Sequence, residues 1–436
     1  MASPNRPIHP AAATPAASST PQATGALTET DRPSDPAQVP SAPPPPSSPP
    51  SPAPAPPAQP REPFFILGPS RPAPADPEAA RPIAGLQTAP DAAAFDPIAF
   101  GPQPTIPLLP DALLKRHRTF VHTDTRFRAA ARLLQCLWRE DRQLPIGLYR
   151  DGNGRRRKLG SRLTATDARQ GANFISPAIA RLVEKELIYR EIGAVIEEER
   201  LRQNLLSSQP LCFNLFGPMK LDLGLATAVC EQLLPGFFRK VVDVRFEHSP
   251  ARGHKAFVGD GTAFDVLLRG YTPAGRRAFV GIEVKLTEGC HEPLPRFSGC
   301  YEEIAQSSSL FVDPGNPALR ANPVQQLFRQ TCLGAAMLRN ELYDEGLHLL
   351  IAPQDNHLAQ NAADSFRRQL REPDTGRLPF RAISLETVIG AIATAGEPEL
   401  ARLLHRRYCD YGRIEALLEL EPVATIPQMS ETSAAA

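Results

Sequence analysis

Residues 263–288, AFDVLLRGYTPAGRRAFVGIEVKLTE, hold two runs of branched and aromatic residues around a turn at TPAGRR, and they read as a pair of strands. Successive side chains on a strand point to opposite faces. Ile282, Val284 and Leu286 therefore share one face while Glu283 and Lys285 share the other, and Phe264, Val266 and Leu268 leave Asp265 on the polar side of its strand. If the strands pair as a hairpin, Asp265 stands beside Glu283. A solvated face carrying a cross-strand ion pair is one account of such a pattern. The other is a cation site, because two adjacent carboxylates repel and raise each other's pKa unless a cation sits between them. Oxygen ligands of this kind suit Mg²⁺ or Mn²⁺, and Lys285 alongside can orient a water or stabilise charge developing on phosphate.

The surroundings of this pair define the fold class. A helical run is expected over about Ser176 to Leu206, then a polar and aromatic junction, SSQPLCFNLFGPM, then a second helix over about Leu221 to Leu234. KVVDVRFEHS supplies a strand before the pair, and a helix over about Pro323 to Tyr343 and a buried strand, GLHLLIAP, follow it. The order helix, three strands, helix, strand predicts an α/β fold, a mixed sheet with helices packed on it. FRAISLETVIGAIATAGEPELARLLHRRYCDYGRIEALLEL adds C-terminal helices.

Ahead of this core, Phe127, Ala130, Leu133, Leu134, Leu137 and Trp138 recur at helical spacing while Arg126, Arg128, Arg132 and Arg139 face elsewhere, which predicts a basic amphipathic helix. A loop follows, LPIGLYRDGNGRRRKLGSRL, turning at DGNG. Its Arg155, Arg156, Arg157 and Lys158 form a phosphate clamp or a solvated loop. The net charge of +1 hides this local basic stretch between Lys115 and Arg169.

Most of the 49 prolines fall before about residue 110, so residues 1–110 are expected to be a disordered Pro/Ala-rich tail. PFFILGP and FDPIAFGPQPTIPLLP within it are apolar islands able to bind other proteins. Residues 111–175 form the basic helical and loop segment, 176–420 the main domain with C-terminal helices, and 421–436 a disordered tail. The seven cysteines lack C-x-x-C spacing and are expected to be reduced core thiols of a cytoplasmic protein. Cys290, His291 and Cys300 lack the spacing of a zinc knuckle and an evident fourth ligand. Neither a secretory leader nor a stretch of roughly 20 apolar residues is found, so no membrane association is expected.

AFDVLL…GIEVK on this element order resembles the PD-(D/E)XK nuclease superfamily, the restriction-endonuclease-like fold with its α-β-β-β-α-β core. LLQCLWRE, LPIG, GANFISP, SSQPLCFNLFGPM, FEHSPAR, GTAFDV, GIEVKLTE and QQLFRQ, taken in order over roughly Arg126 to Leu418, resemble a little-characterised bacterial branch of it. The proline that names the superfamily is absent, since Ala263 and Phe264 precede Asp265. The resemblance implies a metal-dependent endonuclease acting on DNA, with RNA left open. Asp265, Glu283 and the carbonyl of Val284 would hold Mg²⁺ or Mn²⁺, and Lys285 would serve the attacking water. Asp260, between glycines, is a rival carboxylate or a turn residue. Glu247 is a third carboxylate or a surface residue. Ser208, Gln209 and Asn214 line the cleft or cap the helix junction, and Gln326 and Arg329 lie on the helix that faces the site in such nucleases. A homodimer would suit cutting of two strands. A catalytically silent nucleic-acid-binding or scaffold protein that keeps the fold is the competing reading.

Overall fold

The computed structural model describes residues 106–420, apart from Gly152, Glu292 and Ser298. The PFFILGP island and the expected C-terminal tail lie outside these residues, as does all of the N-terminal tail except Ile106 to Pro110, the end of the FDPIAFGPQPTIPLLP island. Of those five, Ile106 and Leu109 are buried with Leu113, Phe127, Leu134 and Tyr411, so the packed chain begins before the boundary expected at residue 110.

The chain runs α1 (Asp111–Arg116), α2 (Arg126–Asp141), β1 (Ile146–Arg150), β2 (Arg156–Leu163), α3 (Ala165–Arg169), α4 (Pro177–Ile188), α5 (Glu198–Gln203), α6 (Ser208–Leu221) and α7 (Leu223–Leu233). It continues through β3 (Lys240–His248), β4 (Phe264–Tyr271), β5 (Arg277–Val284), α8 (Cys300–Ser308), α9 (Gln325–Arg339), β6 (Glu345–Ala352), α10 (His357–Arg367), β7 (Phe380–Ser384), α11 (Leu385–Thr394), α12 (Pro398–Tyr408) and α13 (Gly412–Leu420). The five strands β3 to β7 lie side by side in chain order. β3, β4 and β5 pair antiparallel, whereas β6 and β7 continue parallel to β5. This is the mixed α/β sheet expected from the sequence.

Apolar side chains cover both faces of the sheet, as a sheet carrying parallel strands requires. Val266, Leu268, Val280, Ile282, Val284, Leu349 and Ile351 pack with α6, α7, α11 and α12. Leu267, Phe279, Leu350 and Phe380 pack with α8, α9 and α10. No helix among the described residues is long and apolar enough to cross a membrane.

Several elements differ from the sequence expectation. The helix expected over Ser176 to Leu206 is two helices, because Gly193 takes φ +82° and Glu191 turns back to bond His248 and the Ser249 N–H. SSQPLCFNLFGPM is not a junction but most of α6, buried on nearly every side and so lacking an amphipathic period. The loop containing RRRK is a hairpin, its turn closed by Asp151, whose carboxylate accepts from the N–H groups of Asn153 and Arg155. FRAIS, expected to begin a helix, is edge strand β7.

Candidate active site

The pairing of β4 with β5 ends at Val266 and Ile282. One residue beyond, the strands part. There Asp265 replaces a backbone partner, its Oδ2 accepting from the Val284 N–H at 2.8 Å. The separation is helped by Phe264, whose ring lies over Gly281 so closely that a Cβ there would stand 2.4 Å from it. Phe264 thus leaves the apolar row of Val266 and Leu268 that alternation assigns it to, and joins the opposite cluster.

Glu283 and Lys285 are not on a solvated face: they are 2% and 4% exposed. Lys285 Nζ lies 2.9 Å from Glu283 Oε1 and donates to Gln326 Oε1 at 2.7 Å. Gln326 donates back to Glu283 Oε1 at 2.8 Å, and Gln330 donates to Glu283 Oε2 at 2.5 Å and to the Ala263 carbonyl at 3.0 Å. Two carboxamides on one face of α9 therefore hold the Glu283 carboxylate. Gln330 was not singled out from the sequence, although it stands four residues from Gln326 and so shares its face.

Glu247 is brought to the same end of the sheet by a local kink, its φ of +48° being rare for a residue with a side chain. Arg252 holds that peptide, donating to the Glu247 carbonyl at 2.7 Å. Glu247 and Asp265 line a small cleft under α6 with Gln209, Cys212 and Phe213. The three carboxylates act on one another. Burial first, then Glu283 and Glu247, pushes Asp265 well above the usual carboxylate range, against the pull of Lys285 and the Val284 N–H. Burial and then Glu283 push Glu247 up to about 7, with Arg252 and Arg200 pulling the other way.

Glu288, at the end of GIEVKLTE, is the second residue missed in the sequence. It accepts from Ser208 N–H and Oγ (both 3.1 Å), from Arg200 (3.3 Å) and from the N–H groups of Leu286 (2.9 Å) and Thr287 (3.0 Å). Burial pushes its pKa up, but Lys285, Arg200 and these N–H donors outweigh burial and hold Glu288 below the usual range. Arg128 of α2 reaches the same loop, donating to the Thr287 carbonyl and Oγ1 at 3.1 and 2.9 Å.

The other residues named from the sequence have other neighbours. Asp260 accepts from Tyr301 Oη at 2.8 Å and pairs with Arg329 at 3.3 Å, which turns both away from the carboxylates. Ser208 holds Glu288. Gln209 lines the cleft and donates to the Val195 carbonyl. Asn214 is fully buried, bridging Asn173, Ile175 and Tyr408. The basic helix α2 offers less free charge than expected. Arg132 and Arg139 are buried, Arg132 on Asp124 and Ser161, Arg139 on the Gly160 carbonyl. Of the RRRK cations, Arg157 is paired with Asp151 at 2.6 Å.

Compared with known protein families, residues 122–410 match the PD-(D/E)XK nuclease superfamily. The chain belongs to that superfamily. No curated protein and no solved structure gives a match. The donor set at the parted strands fits the divalent cation that nucleases of this superfamily generally use. Two of the carboxyls there are pushed toward their neutral forms by burial and by each other, and a hard cation would relieve the same repulsion.

Proposed function

We propose that this protein is a Mg²⁺- or Mn²⁺-dependent nuclease that hydrolyses DNA phosphodiesters, RNA being the alternative polymer. The observation that carries this reading is the meeting of Asp265, Glu283 and Lys285 where β4 and β5 part, inside the region matched to the superfamily. Asp265, Glu283 and the Val284 carbonyl are the ligands in this reading, with Glu247 as a further carboxylate. A cation bound there supplies Lewis-acid polarisation of the phosphodiester and neutralises charge in the transition state.

The chain's own groups do the rest. Gln326 and Gln330 fix the rotamer of Glu283, and Glu283 with Gln326 fixes the ammonium of Lys285. A preorganised ammonium costs no reorganisation during reaction, and Lys285 can only donate, so it orients the attacking water and stabilises charge on the phosphoryl oxygens. In-line attack of water on phosphorus breaks the P–O3′ bond and leaves a 5′-phosphate and a 3′-hydroxyl. Glu288 keeps the Lys285–Glu288 loop against α5 and α6. Arg155, Arg156 and Lys158 on the β1–β2 hairpin supply phosphate contacts away from the chemistry.

The test is cleavage of double-stranded, single-stranded and branched DNA and of RNA, in Mg²⁺, in Mn²⁺ and in EDTA, by the wild type and Asp265→Ala. Metal-dependent cleavage lost in Asp265→Ala is expected. Cleavage that survives EDTA or the substitution would overturn the reading, and wild-type binding without cleavage on every substrate would favour the silent nucleic-acid-binding protein.

A further inference from the structure

A second concentration of charge lies around Trp138, where α2 and α12 pack together and the segment between α3 and α4 crosses them. Arg407 is 0% exposed. Its Nη1 donates to the Asn173 carbonyl at 2.8 Å, its Nη2 to Asn173 Oδ1, and its Nε to Gln135 Oε1 at 3.3 Å. None of these partners is a carboxylate, although a buried cation is ordinarily paired with one. The guanidinium stacks on Trp138 at 4.1 Å, and a second guanidinium, that of Arg142, stacks on the same indole at 3.9 Å. Asp141, the neighbouring acid, is shared by Arg406 at 3.2 Å and Arg413 at 2.9 Å.

Arg142 forms part of the wall of a cavity of about 490 Å³ that opens above the Asn173 segment. Arg169 and Arg181 stand on the same wall, and neither they nor Arg142 makes an ion pair among the described residues. Of the two acids lining the cavity, Glu184 is paired with Arg202 at 2.9 Å, and Asp167, which accepts from the Thr164 hydroxyl at 2.5 Å, leaves the three arginines in excess. The remaining wall is mostly apolar, formed by Phe174, Ile175, Pro177 and Ala180. The volume falls within the range of about 300–1,000 Å³ usual for small-molecule sites.

Three guanidiniums without an ion pair on one cavity wall call for an anion, and planar guanidinium forks match phosphate oxygens two at a time. The apolar wall and the volume call for more than an inorganic ion. We propose that this cavity binds a nucleoside 5′-phosphate, its phosphates held by Arg142, Arg169 and Arg181 and its base and sugar laid against Phe174, Ile175 and Pro177. This site is separate from the carboxylates, and its test does not depend on cleavage.

The experiment is isothermal titration of the full chain in EDTA, which removes metal-assisted phosphate binding at the carboxylates. The probes are AMP, ADP, ATP and their guanosine counterparts, with inorganic phosphate, pyrophosphate and a short single-stranded DNA for comparison. At least one nucleotide is expected to bind about 10-fold or more tightly than phosphate or pyrophosphate. In the Arg169→Ala/Arg181→Ala double variant that affinity should fall by about 10-fold or more, while the ligand-free melting temperature stays unchanged because both side chains are exposed and unpaired. No nucleotide binding by the wild type at millimolar concentration, or affinity unaltered in the double variant, would overturn the proposal. So would tight binding of the DNA with none of the nucleotides, which would make the cavity part of a nucleic-acid path.

Discussion

The carboxylates where β4 and β5 part and the guanidiniums around Trp138 are opposite in sign but alike in construction. Each gathers like charges with too little counter-charge from the chain: Lys285 pairs with Glu283 and pulls on Asp265 while Glu247 has only the more distant Arg252 and Arg200, and Asp141 pairs with Arg406 and Arg413 while Arg142 and Arg407 make no ion pair among the described residues. Glu288, beside the first group, shows what a completed site looks like. Five donors from α5, α6 and its own loop meet its carboxylate, and it is held ionised where Asp265 is driven toward its neutral form. Burial is common to both carboxyls, so burial alone does not separate a supporting group from a ligand. What separates them is whether the chain supplies the opposing charge.

The sharpest way to break this contrast is to remove its central charges. Asp265→Asn and Glu283→Gln are each expected to abolish cleavage and weaken Mg²⁺ binding. Asp265→Asn, by removing a repelled carboxylate, should also raise the metal-free melting temperature by about 2 °C or more. The corresponding change at the completed site, Glu288→Gln, should lower it, since Arg200 and several N–H donors lose an ionic acceptor. Cleavage assays and melting curves on the three proteins check both halves, and an equal loss of stability in all three would erase the distinction.

Lys285→Ala should reduce cleavage by roughly 100-fold while leaving metal binding in place, because the ammonium acts on the transition state and not on the cation. It leaves Glu283 without its buried partner, at a cost of about 3–5 kcal/mol to the metal-free fold. Calorimetric metal titration beside single-turnover kinetics separates this outcome from a general loss of folding. A variant unable to bind metal would place Lys285 among the groups that build the site.

A pH series tests the carboxylates without mutation. Glu247, raised from 4.5 to about 7, binds its proton more tightly in the folded state than in the unfolded one, and Asp265 shifts in the same direction. Stability from both groups is therefore present below the ordinary carboxylate range and is lost as pH rises through their raised pKa values, for Glu247 at about 7. Glu288 runs the other way, its contribution disappearing as pH falls below that range. In EDTA the melting temperature should drop by a few degrees between about pH 5.5 and about pH 8, Glu247→Gln should flatten the drop, and Mg²⁺ should stabilise more at the higher pH. Stabilisation by Mg²⁺ that is equal at both ends would uncouple the raised carboxyls from the cation.

The smallest effect is expected on the hairpin. Neutralising Arg155, Arg156, Arg157 and Lys158 together should leave the melting temperature nearly unchanged and flatten the slope of log K against log salt by about 0.9 for each lost phosphate contact. Because Asp151 already engages Arg157, the change should correspond to three contacts and not four. An unchanged slope would return the hairpin to an ordinary solvated surface.

Much of this organisation was legible in the chain because it is local. Period-two alternation marked β4 and β5 and set Asp265 and Glu283 at their meeting ends, and the family resemblance implied that Gln326 lies on the helix facing the site. Alternation could not reveal that Phe264 would cross to Gly281, since that depends on a gap left by a glycine on another strand. Nor could an amphipathic period find α6, whose surroundings are apolar on nearly every side. The charges of Arg132 and Arg139 looked available because several of their partners, Ser161 and the Gly160 carbonyl among them, are brought to them by folding.

Pattern within the chain was not enough for the β1–β2 hairpin, α6 or β7, but it was enough for the core order of helix, three strands, helix and strand, for the mixed α/β class, and for the pairing of an aspartate with an E-x-K on adjacent strands. These follow from backbone geometry and from patterns read within one or two elements. Folding alone made Gln330 clasp Glu283, let α5 and α6 finish Glu288 while Asp265 stayed undercompensated, and set Arg142, Arg169 and Arg181 around one cavity. A charge acquires its energy from whatever stands within a few ångströms of it after folding, and for these residues the neighbours come from distant parts of the chain.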